Sequence, residues 1–213
     1  MTKSSGKCMA LGFLLAVTLP AFSENHSSGR AEPGLRLNVR LHDDAQVRAG
    51  TRARAEKEAT RLFQQAGIEM RWLDCRLADG ETAPACQGQT TCTDLDLRIV
   101  RRSKAARATF GPVALGYALP SEDGCGGRLT TVFYDRVQQE AADGDFDEGL
   151  VLGYAVAHEV AHLLLARESH AADGLMRARV RREEWQRATI GDLSFSPQQA
   201  EQLRAGVLAR MRK

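Results

Sequence analysis

Leu150, Val151, Leu152, Tyr154, Val156, Val160, Leu163, Leu164 and Leu165 place apolar side chains on nearly every face of one stretch, which predicts a helix over Glu148 to Ala166. A helix that is apolar all round has to be buried. His158, Glu159 and His162 interrupt this one, and polar groups inside a buried helix need partners of their own. The two histidines are four residues apart, so both imidazoles project from the same face with Glu159 beside them. One Zn2+ held by both rings compensates all three residues, and the spacing is that of a zinc hydrolase whose glutamate serves as the base.

Two imidazoles do not complete such a site, because catalytic zinc takes three protein ligands and leaves a further position to water. His170 is the candidate third ligand. It follows His162 by eight residues, so the chain has to turn after Leu165 and bring the ring back under the helix. The alternative is an acidic ligand further along, Glu183, Glu184 or Asp192, with Glu183 placed best for a His2Glu set.

The chain has 213 residues, 43% hydrophobic and 26% charged, enough for one domain with a sizeable core. Its start is different in character. Lys3 and Lys7 precede an apolar run from Met9 to Phe22 that is too short for a stable anchor, and Ala21 and Ser23 suit a signal peptidase. Residues 1–23 are therefore expected to be a signal peptide, followed by a single domain over 24–213 with a flexible start at 24–33. Loss of Lys3 and Lys7 cancels the formal net charge of +2. No general basic field then points to nucleic acid, and the arginines from Arg177 to Arg187 are broken by Glu183 and Glu184, as on a solvated helix face.

Cys8 leaves with the leader, and Cys75, Cys86, Cys92 and Cys125 remain. An even count in an exported chain points to two disulfides, and the spacings lack the two close pairs of a zinc ribbon. Cys75 with Cys92, each bordering an expected strand, and Cys86 with Cys125 is the pairing expected among three possible ones.

Alternation at Leu35, Leu37, Val39 and Leu41 predicts a first strand, and Ala55, Ala59, Leu62, Phe63 and Ala66 mark one face of a helix closed by Gly67. Further strands are expected at Ile68 to Leu73, Asp94 to Arg101, Ala114 to Leu119, as an edge strand, and Leu129 to Tyr134. Asp74 to Thr93 reads as a cross-linked loop, and a linker bearing Asp143, Gly144, Asp145 and Asp147 leads into the buried helix. Helices over Arg181 to Ala188 and Pro197 to Met211 follow, the second with Ser196 as its cap.

His158, Glu159, His162, His170 and Met176, in that order, resemble the metzincin clan of zinc peptidases. That clan's motif is H-E-x-x-H-x-x-G-x-x-H, followed by a methionine-bearing turn. Here the third histidine comes later and the turn glycine is absent, with Leu165, Ala166 and Arg167 in its place, so the resemblance is to a divergent, bacterial-type branch. It implies an α+β fold: a twisted mixed β-sheet with a backing helix, the zinc-binding helix, a Met-turn and C-terminal helices. It also implies one catalytic Zn2+ on His158, His162 and His170, Glu159 as general base, Met176 as an apolar floor, and Leu129 to Tyr134 as the edge strand that receives an extended peptide. Tyr134 and Tyr154 are considered as oxyanion partners, but a buried core role is the preferred reading of both.

The expected protein is a secreted or periplasmic metallopeptidase, monomeric, acting on a peptide or protein, with no nucleic-acid partner and no membrane insertion once the leader is removed. A metal-binding module with little or no turnover is the competing reading, and hydrolysis of a non-peptide amide is a third.

Overall fold

In the first strand, Leu37, Val39 and Leu41 are almost wholly buried, as their alternation requires. The protein is described by a computed structural model covering residues 1–2, 34–75, 83–121, 124–165 and 170–213. The expected leader and flexible start, apart from Met1 and Thr2, lie outside the described residues. Pro33–Lys213 forms one compact unit.

The fold is mixed α/β. Strand β1 (Arg36–Asp43) is followed by helix α1 (Ala49–Gln65), then β2 (Glu69–Asp74), β3 (Asp94–Val100), α2 (Lys104–Phe110), β4 (Gly116–Leu119), β5 (Leu129–Phe133), α3 (Tyr134–Gly144), α4 (Glu148–Leu165), α5 (Arg182–Thr189) and α6 (Pro197–Met211). The strands form one sheet in the order β2-β1-β3-β5-β4. All neighbours are parallel except β4, which runs antiparallel to β5.

This order agrees with an edge strand within Ala114 to Leu119 and corrects the edge role expected of Leu129 to Tyr134. Leu129 to Phe133 pairs with β3 on one side and β4 on the other, so both rows of its backbone groups are used. The edge on that side is β4. Tyr134 does not extend the strand but starts α3. Helices α2 and α3, the latter occupying part of the expected linker, were not anticipated.

The core lies between the sheet and two helices that pack along each other, α1 against β2 and α4 against β4 and β5. Close packing of α1 and α4 depends on Gly153: a Cβ there would stand 2.8 Å from the Ala55 carbonyl oxygen. Asp147 caps α4 by accepting from the Leu150 N–H at 2.8 Å, and the expected Ser196 cap of α6 accepts from the Gln199 N–H at 3.2 Å. Arg210 ties α6 to the end of α4, donating to the carbonyls of Leu163 (2.7 Å), Gly127 (2.8 Å) and Cys92 (2.9 Å).

The disulfides are Cys75–Cys86 and Cys92–Cys125, with Cα separations of 5.7 and 5.1 Å. The expected pairing of Cys75 with Cys92 is ruled out by strand direction. Cys75 follows the C-terminal end of β2 and Cys92 precedes the N-terminal end of β3, and both strands run parallel to β1. Parallel strands put those ends on opposite sides of the sheet, about 20 Å apart for six residues of extended chain, far beyond the reach of a disulfide.

Candidate metal centre and cleft

Helix α4 carries His158, Glu159 and His162 in its last two turns, and Glu159 is 6% exposed. His158 and His162 meet with their Nε2 atoms 3.0 Å apart. The other ring nitrogen of His158, Nδ1, lies 2.9 Å from the Leu175 carbonyl oxygen and donates to it, which leaves Nε2 for a ligand. His170 comes back to the same point: its ring centroid is 4.8 Å from that of His162 and 5.5 Å from that of His158. Ligand atoms of the three histidines all lie within 4.8 Å of one another, and together they could hold a metal ion.

The return of His170 is secured without the glycine turn. Residues 166–169, between the helix end and His170, lie outside the described residues. Beyond them, the Ala171 N–H donates to the Met176 carbonyl at 2.7 Å, and Ala171 bridges Arg177. Gly174, with φ at +74°, makes the turn, closed by the Arg177 N–H on its carbonyl at 3.2 Å. One loop thus positions His170, presents the Leu175 carbonyl to His158 and buries Met176 completely.

The acidic alternatives to His170 are occupied elsewhere. Glu184 accepts from the Arg181 N–H at 2.7 Å and from Arg177 at 3.3 Å, and Asp192 accepts from Arg187 at 2.9 Å. Glu183 is exposed on α5 and stands outside the group of metal-capable side chains.

Three imidazoles suit zinc chemically. A tetrahedral ion with nitrogen ligands at ordinary bond lengths separates them by about 3.3 Å, close to the spacing of His158 and His162. Burial pushes the His158 imidazole down to about 4 against the opposing pull of the Leu175 carbonyl, and the neighbouring His170 ring lowers it further. A ring kept neutral is ready to ligate. Burial also pushes the Glu159 carboxyl up to about 8. A bare carboxylate is costly at this position, and a neighbouring dication favours its ionised form.

The histidines open into a cavity of about 350 Å3. Its walls come from β4 with the preceding residues Phe110 to Leu115, from α4, and from the segment Arg177 to Val180, and it reaches Arg136 and Glu140 on α3 and Trp185 on α5. Gly116 on β4 lies against α4: a Cβ there would be 2.9 Å from Glu159 Cγ and would also collide with the Thr131 carbonyl. Phe110 and Tyr117 stack at 4.2 Å on this wall.

Tyr134 and Tyr154 are core residues. Tyr154 accepts from Arg61 at 2.9 Å and donates to the Leu193 carbonyl at 3.0 Å, and Tyr134 is buried beneath the Arg101 guanidinium. Arg136, Glu140 and Gly116 are among the cavity residues that sequence reasoning missed. For α3 a signal existed, since Tyr134, Val137 and Ala141 recur at helical spacing and are buried together.

No protein-family profile matches the chain, and no curated protein matches it. Among solved structures, a zinc-dependent peptidase from Methanocorpusculum labreanum (strain Z) is similar with a TM-score of 0.49 and 14% identity, over 78% of this chain and 99% of that one.

Proposed function

We propose that the chain is an exported zinc-dependent metallopeptidase of metzincin type. The observation that carries this reading is the convergence of His158, His162 and His170 beside a buried Glu159 in one open cavity. Zinc binding accounts for the histidines alone, whereas a glutamate buried next to them is needed only for chemistry.

His158, His162 and His170 hold the ion, and Met176 forms the apolar floor behind them. Bound zinc supplies a Lewis acid for the scissile carbonyl and lowers the pKa of water. Glu159 takes the proton from the attacking water and delivers it to the leaving amine. Leu175 keeps His158 oriented through its Nδ1–H. An extended peptide lies along the outer edge of β4, which replaces β5 in that role, with its backbone paired to the strand. Two disulfides support an extracytoplasmic location, and no described helix is long and apolar enough to cross a membrane.

Glu159→Ala tests the reading. Both forms should bind zinc, and the variant should cleave an unstructured protein at least about 100-fold more slowly, the usual scale for loss of a general base. Zinc bound by both with cleavage by neither would make the protein a metal-binding module instead.

A further inference from the structure

Arg136 and Glu140 of α3 and Trp185 of α5, the last packed edge-on against Tyr154 one turn before His158, form a floor of the cavity with a different chemistry from the histidines. Arg136 is 8% exposed and lines this floor. Its Nη2 pairs with Glu140 one turn further along α3. The other Glu140 oxygen accepts from Trp185 Nε1 at 3.1 Å. Glu140 is thereby shared between two donors, while Arg136 Nε and Nη1 are buried with no hydrogen-bond partner among the described residues.

A helix pair four residues apart ordinarily keeps its charged heads in water. Here the head is enclosed and half of its donor fork is unmet, a costly state for a guanidinium. Arg179 also lines the cavity, as does Arg177, which pairs with Glu184, whereas the acidic residues of the lining are Glu140, already engaged, and Glu159 at the metal end. An apolar side chain entering this space would leave the Arg136 donors unpaired. A carboxylate would draw the covered Arg136 head towards the cavity, accept from its fork and match the charge of Arg179.

We propose that the floor is a carboxylate-recognition subsite in which Arg136 selects substrates bearing an acidic group beside the hydrolysed bond. The inference rests on the peptidase reading of the metal centre. The acidic group is either a Glu or Asp side chain or the free carboxylate at a chain end. Both present the same planar pair of oxygens.

The test measures binding apart from turnover. Peptides carrying Glu, Gln or Leu at one position, each with a free or an amidated C-terminus, are titrated into zinc-loaded Glu159→Gln protein and into the same protein with Arg136→Met. In the first, the Glu peptide should bind about tenfold more tightly than the Leu peptide, and in the second the advantage should vanish, as expected when a charged hydrogen-bonding partner is removed. A Glu advantage that persists after amidation identifies the side chain, whereas a Leu peptide that binds only with its free terminus identifies the chain end. Equal binding of all peptides, or an advantage unchanged by Arg136→Met, overturns the subsite.

Should Arg136→Met fail to fold, Glu140→Gln serves instead, since its amide oxygen still accepts from Trp185 while the competing negative charge is gone. The carboxylate advantage should then grow, and a constant or smaller one overturns the proposal. Cleavage by wild type is scored separately. Carboxylate-selective binding without zinc-dependent cleavage rejects the peptidase reading alone, and cleavage without carboxylate selectivity rejects the subsite alone.

Discussion

Glu159 and His158 sit side by side on α4, and burial pushes them in opposite directions on the pH scale. The Glu159 carboxyl is raised from 4.5 to about 8 in the fold. Its neutral form therefore contributes stability that is complete below about pH 4.5 and is lost as pH rises towards 8. His158 is lowered from 6.5 to about 4, so its contribution is present above about pH 6.5 and is lost as pH falls towards 4. Glu159→Gln removes the titration at position 159, leaving that side chain neutral at every pH. In metal-free protein, the melting temperature of this variant should exceed that of wild type by a margin that widens from pH 5 to pH 8, reaching a few kcal/mol in stability. Thermal unfolding in a chelating buffer measures it, and a margin that stays constant would contradict the burial argument. At this scale the side chains gathered at the candidate metal centre were legible in sequence, because His158, Glu159 and His162 are polar groups in a helix that is otherwise apolar and buried. Arg136 was not, because its role depends on which wall α3 faces.

Strand β4 and helix α4 meet at Gly116, where the backbone of the edge strand rests against the Glu159 side chain. Gly116→Val forces the carboxylate aside and disturbs pairing to Thr131. Overpacking of this kind costs about 1–3 kcal/mol of stability, and peptide cleavage should fall at least about tenfold from the displaced base alone. Zinc affinity, measured by competition with a chelator, should be unchanged because no histidine is touched. Equal loss of zinc would place the damage elsewhere. The elements themselves were read unevenly. Strands β1, β2 and β3 and helices α1, α4, α5 and α6 follow from periodicity and caps, and the segment of β4 reads as an edge, whereas β5 was given an edge role that its place between β3 and β4 excludes. Its burial on both faces marks an internal strand, but that burial exists only once the sheet and α4 are assembled. An edge is a property of the sheet order, which no single strand contains.

Across the whole molecule, one loop and one helix converge to complete the histidine site, with the sheet supplying the opposite wall. Such long-range assembly explains both the success and the failure of reading from sequence. His170 was identifiable because its partners are local to it, through Ala171, Gly174 and Met176. The disulfides were misassigned because Cys75 and Cys92 border strands that look adjacent along the chain but present opposite ends in the sheet. The central claim concerns the three histidines and the reaction they support. Zinc is titrated into metal-free protein while cleavage of an unstructured protein is followed, in wild type, His170→Ala and Glu183→Ala. Activity of wild type and Glu183→Ala should rise linearly and level off at about one zinc per chain, with His170→Ala showing no such rise, as a three-histidine site requires. Activity indifferent to zinc, or lost with Glu183 and retained without His170, would contradict the account.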